Sequence, residues 1–167
     1  MNNEGSGEFS SSPCFANEAI DNRLDRDNST LIETLQSLLA AERAGARIGK
    51  DTLTEMAATN AKGDETSLVE HIQRDEVRYC QILMTQLRRL DVEPNQATGD
   101  FYGKCMAITD LTERLSFLNR GQKWVVRKID EVTPDILDMQ LLDVLTEMKA
   151  THVTNIDSTD STLGNRS

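Results

Sequence analysis

Along residues 68–90, LVEHIQRDEVRYCQILMTQLRRL, the residues Leu68, Ile72, Leu83, Leu87 and Leu90 return at helical spacing and draw one apolar stripe. Glu76 and Tyr79 stand inside that stripe, where more leucine is expected. A carboxylate on the buried face of a helix is costly unless something pairs with it. Three further stretches carry the same spacing. Leu31, Leu35, Leu38, Leu39, Leu53 and Met56 predict a first helix from Thr30 to near residue 58, with Thr30-Leu31-Ile32-Glu33 as its capping box. The second helix, 67–90, opens on another box, Ser67-Leu68-Val69-Glu70. Ile108, Leu111, Leu115, Leu118, Val125 and Ile129 predict a third over 101–131. Gln122 lies in its main row, and Met106, Glu113, Phe117 and Trp124 form a flanking one. Thr133-Pro134 marks a restart, because Pro at the first helical position loses no hydrogen bond. Leu137, Leu141, Leu142, Leu145 and Met148, followed by His152, predict a fourth helix ending near residue 154.

Residues 60–64 and 91–99, rich in Gly, Asn and Pro, separate the periodic segments. Four long helices with short-to-medium links predict an all-α fold, a four-helix bundle. The domain is expected over 30–156. Residues 1–29 read as a flexible arm that docks in part through Phe15 and Ile20, and residues 157–167 as a flexible tail. Aromatic residues make up only 4% of the 167-residue chain, which disfavours a sheet protein.

A formal net charge of −10 argues against a nucleic-acid partner and against an anionic membrane surface. No apolar run is long enough to span a bilayer, and the start of the chain lacks the basic and apolar regions of a signal peptide. The three cysteines, Cys14, Cys80 and Cys105, are odd in number and lack CxxC spacing. They read as free thiols, suited to a reducing cytoplasm. His71 and Asp75, four residues apart, are expected to pair on the surface.

The polar residues that interrupt the apolar rows are the candidate chemistry: Glu42, Glu76, Glu113 or Gln122, and His152, with Tyr79 and Lys149 beside them. Counted from the turn, Glu113 and His152 share a level, whereas Gln122 is better placed by face. Around Glu42 the chain is small, with Ala40, Ala41, Ala44, Gly45, Ala46 and Gly49. Small side chains let a neighbouring helix approach closely or leave room for something else.

This arrangement resembles the ferritin-like superfamily, in particular the rubrerythrin-like and bacterioferritin-like bundles. Those proteins draw one Glu from each of two helices and a Glu-x-x-His pair from each of the other two, all directed inward around two metals. The resemblance covers about residues 30–155. It implies Glu42, Glu76, Glu113 and His152 as metal ligands. Tyr79 stands where the pattern has a His, and Lys149 where it has a Glu, so two of the six places depart from the set. A lysine adds positive charge where metal charge would sit; it could instead neutralise the buried carboxylates.

The leading functional reading is a ferritin-like bundle with a degenerate site and no cofactor, acting through packing, oligomerisation or a small ligand held between helices. The first alternative is a metal-binding protein or metal-dependent oxidoreductase that uses iron or another divalent ion. The second is a helical protein–protein interaction module. The expected partner is a second copy of the chain, docked through Phe117 and Trp124.

Overall fold

The apolar stripes close on one another as an all-helical bundle. The structure, a computed structural model, describes residues 15–60 and 63–164, with side chains from residue 28 onward. Five α-helices follow in order: α1 (Phe15–Ala58), α2 (Asp64–Arg89), a short α3 (Phe101–Met106), α4 (Leu111–Val132) and α5 (Met139–Gly164). One turn of 3-10 helix, Thr133–Asp135, lies between the last two. There is no strand among the described residues. None of the helices is long and apolar enough to cross a membrane.

Two clusters of buried side chains mark the two ends of the bundle. Leu35, Leu87, Val132 and Leu141 share one; Met56, Leu68, Leu115 and Leu118 share the other. α1 and α5 therefore run one way, and α2 and α4 the other. α1 packs on α2 and α4, and α5 packs on the same two. The link from α2 to α4 must then cross the length of the bundle. It is held to α1 on its way: Gln36 donates to the Glu93 carbonyl at 2.8 Å and accepts from the Asn95 amide at 2.9 Å. Tyr102 of α3 then donates to Asp51 at 2.6 Å, with Arg47 stacked on its ring.

Close approach of α1 and α2 depends on Gly49. A Cβ there would lie 2.6 Å from Gln73 Cβ and 3.2 Å from its Cα, atoms that cannot swing aside. Gly49→Ala is expected to destabilise the protein by about 2–3 kcal/mol, despite the better helix propensity of alanine. Urea denaturation measures this, and an unchanged midpoint would mean that the two helices have slack.

Several expected boundaries move, each for a local reason. α1 starts at Phe15, so Thr30 lies inside a helix and does not cap one. Residues 1–14 of the expected arm, Cys14 included, lie outside the described residues, as do the side chains of Phe15 and Ile20. α2 starts three residues before Ser67, whose amide bonds the Gly63 carbonyl. The helix expected over 101–131 is broken at 107–110. There Asp110 adopts extended backbone and its side chain accepts from the Glu113 amide at 2.9 Å. Asp110 is thus the N-cap of α4, a start signal that the sequence carries as Asp110-Leu111-Thr112-Glu113. Arg114, 4% exposed, secures the break by donating to the Ile108 carbonyl and to Glu55 of α1.

Thr133-Pro134 starts only the 3-10 turn. Ile136 turns into the core, Leu137 is 88% exposed rather than part of the core row, and Asp138 accepts from the Leu141 amide at the start of α5. At its other end α5 continues through Gly164 with Asn155 and Thr159 buried, so residues 157–164 extend the helix. Cys80 and Cys105 are free and buried. Burial pushes their thiols up to about 12 and about 11, away from the thiolate that redox chemistry requires.

Candidate metal centre

Between the two apolar ends the core changes to polar. Glu42 of α1, Glu76 of α2 and His152 of α5 are 0%, 3% and 1% exposed. Each occupies a position on its helix that the apolar rhythm directs inward. One ligand atom from each lies within 4.8 Å of the others. The small residues of α1 make this possible: a Cβ on Gly45 would sit 2.5 Å from the Glu76 carboxyl carbon. The Glu76 carboxyl group occupies the space left by that missing side chain.

The imidazole is held in one orientation. His152 Nδ1 lies 3.0 Å from the Met148 carbonyl oxygen, which can only accept, so Nδ1 carries the proton. Nε2 is then left facing Glu42 Oε1 at 3.2 Å. Neither Glu42 oxygen nor His152 Nε2 has a hydrogen-bond partner among the described residues. A proton, a donating water or a cation placed between them would satisfy them. Gln122 Nε2 of α4 donates to Glu76 Oε1 and fixes that carboxyl group.

The electrostatics point the same way. Burial pushes the Glu42 carboxyl up to about 8, an effect opposed by its contact with Glu76. Burial, and then the nearby Glu42, raise Glu76 well above the usual carboxylate range, while His152 pulls it down. Two carboxylates cannot both stay ionised in so dry a site without a compensating positive charge. A divalent cation matches that charge. Ligands about 2.0–2.2 Å from a metal stand roughly 3–4.4 Å apart, so small side-chain adjustments bring these three to an ion.

A family model described as a domain of unknown function, DUF6306, matches residues 29–161. The chain belongs to that family. No curated protein and no solved structure gives a significant match. The DUF6306 span includes Glu42, Glu76, Gln122 and His152, and so the whole buried cluster.

Glu113 does not join the cluster. It is exposed in the first turn of α4, where its amide completes the Asp110 cap. Matching it in height to His152 assumes that the last helix begins at the Thr133-Pro134 turn. Because α5 begins at Met139, His152 comes about three and a half turns into it rather than five. Gln122, about three turns from the end of α4, therefore faces it. Lys149 is also outside: its ammonium group pairs with Asp130 at 2.5 Å near the surface and does not neutralise the buried carboxyls. Tyr79 is fully buried, with its ring 5.9 Å from that of His152, but its hydroxyl group bonds Thr151 at 2.8 Å. It walls the cluster without contributing a ligand atom.

The expected His71–Asp75 pair gives way to other partners. His71 Nδ1 bonds the Ser67 carbonyl at 2.8 Å, and Asp75 accepts from Asn155 of α5 at 3.0 Å. Asn155 and Thr159 continue the inward face of His152 at helical spacing, a signal present in the sequence, although Thr159 falls in what reads as a polar tail. Asn119, also buried, donates to Asp160 at 2.7 Å.

Proposed function

We propose that this DUF6306 domain binds a single first-row divalent ion through Glu42, Glu76 and His152. The observation that carries this reading is the set of orphaned polar atoms: both Glu42 oxygens and His152 Nε2, all buried and directed at one another. The Nδ1–carbonyl bond is the kind of outer contact that orients a histidine ligand. Gln122 does the same for Glu76. Carboxylate and imidazole donors together suit Fe(II), Mn(II) or Zn(II). Three protein ligands leave open positions, at which a bound ion supplies Lewis-acid or, for iron, redox chemistry.

The ferritin-like resemblance is supported by the single long crossover between α2 and α4, and by the inward Glu, Glu and His on α1, α2 and α5. A two-metal centre lacks support, because Glu113 and Lys149 stand apart from the cluster. The buried free thiols agree with residence in a reducing cytoplasm. A second reading, favoured by the 3.2 Å contact, is a metal-free network in which a hydrogen bond from the Glu42 carboxyl group to His152 Nε2 closes the cluster.

Titration of chelator-treated protein with Fe(II) under anaerobic conditions, and with Mn(II) and Zn(II) in parallel, separates the two readings. A single bound equivalent is expected after gel filtration, with affinity reduced at least about 100-fold in His152→Ala. Uptake below about a tenth of an equivalent for all three ions would leave the metal-free network.

A further inference from the structure

A cavity of about 450 Å³ opens between α1 and α4, within the range of small-molecule sites. On the α1 side it is bounded by Ala40, Ala41 and Gly45, whose side chains are too small to close the gap. Phe101 of α3 and Phe117 and Trp124 of α4 supply aromatic walls. These walls are built in advance. Phe101 stacks on Phe117 with ring centroids 5.0 Å apart, and it rests on Gly121, where a Cβ would lie 2.6 Å from the ring.

The cavity reaches the polar layer, where Glu76 and Gln122 line it. Gln122 is 2% exposed and spends its amide nitrogen on Glu76. Its Oε1 is left buried without a partner. A buried carbonyl left unsatisfied is costly, and a ligand donor would relieve that cost. Charge narrows the choice further. Arg120 and Arg127, exposed residues of the lining, outnumber Asp100, whose carboxylate is paired with Lys104, and so disfavour a cation at the mouth, while the buried floor at Glu76 and Gln122 offers no cationic group to pair with an anion.

We propose that this cavity binds a neutral aromatic molecule of one or two rings carrying a hydroxyl or N–H group, with its rings against Phe117 and Trp124 and its donor on Gln122 Oε1. The site does not rest on the metal reading, since its polar contact is Gln122. Phe117 and Trp124, expected from sequence as a dimer seam, here serve as walls.

Trp124 is the only tryptophan in the chain, so its indole N–H gives one resonance that reports directly on the cavity. The probes are 2-naphthol and 2-methoxynaphthalene, added to chelator-treated full-length protein. The naphthol is expected to shift that resonance saturably, with an affinity about five- to tenfold above that of the ether, which has no donor. Gln122→Leu should remove the preference between the two probes while leaving both bound. Ala41→Leu, which fills the cavity, should abolish the shift and still take up metal as the wild type does. No saturable shift in the wild type, or equal affinity for the two probes, would overturn the proposal without reference to any variant. A full response in Ala41→Leu would also overturn it. Failure of metal uptake alone would count against the metal centre and not against this cavity.

Discussion

Metal-free protein carrying Glu42→Gln is expected to be more stable than the wild type at pH 8, by an amount of order 3–5 kcal/mol. The sign follows from the direction of the shift. The Glu42 carboxyl group is held at about 8 in the folded protein, against an ordinary value of 4.5. Below the lower value both folded and unfolded chains hold the proton, and the stability is fully present. As pH rises from 4.5 toward 8 the unfolded chain ionises while the folded one does not, and the stability drains away. Glutamine has nothing to lose across that window, and it can donate to His152 Nε2. Urea denaturation in chelator at several pH values between 5 and 8 measures the gap between variant and wild type, which should widen with pH. Because Glu42 also raises Glu76, the gap reports on the coupled pair, with burial of Glu42 as its largest cause. Adding metal should close much of the gap: an ion at about 100 times its Kd stabilises the wild type by roughly 2.7 kcal/mol. The variant, with a weakened ligand, should gain little. A wild type and variant that track one another from pH 5 to 8 would show that Glu42 is not desolvated as the bundle places it.

Gly45→Ala should show the opposite pattern, a large loss of metal affinity with little change in stability. The added Cβ meets the end of the Glu76 side chain, 2.5 Å from its carboxyl carbon. That end can swing away, unlike the Gln73 stem that faces Gly49. Alanine improves the propensity of α1 by about 1 kcal/mol, which offsets much of the cost of moving the carboxyl group. The net change in stability is expected to stay within about 1 kcal/mol. Metal affinity should fall about 100-fold, because the displaced group is a proposed ligand and its Gln122 bond is broken as well. Thermal melts and metal titration on the same sample give both numbers. An unchanged affinity would remove Glu76 from the ligand set.

The contrast between the two glycines shows how far the sequence can be read. Small residues around Glu42 were legible as a place of close approach. Which glycine accommodates backbone and which a carboxyl group depends on the register of α1 against α2. Asp110-Leu111-Thr112-Glu113 carried a legible start signal, yet the surrounding apolar spacing runs straight through it and suggests one helix. Leu137 and Ile136 differ by one position, and only the extended backbone before Asp138 decides which of them is buried.

Helical periodicity by itself determined the all-α class, the inward faces of the four long helices, and the anomalies at Glu42, Glu76 and His152. These follow from local spacing, since a side chain three or four residues from a buried leucine shares its face whatever the neighbours are. The tertiary structure decided which anomalies meet. It brought Gln122 to the cluster and left Glu113 in an exposed cap and Lys149 on Asp130. The physical reason is axial register, which depends on how many residues each link consumes before its helix begins. The turn after Val132 consumes six residues, Thr133 to Asp138, and so lowers His152 by more than a turn and a half, at about 3.6 residues per turn, relative to a helix begun at Thr133. Glu76, the residue that breaks the stripe of α2, thereby acquires Glu42, His152 and Gln122 as its neighbours.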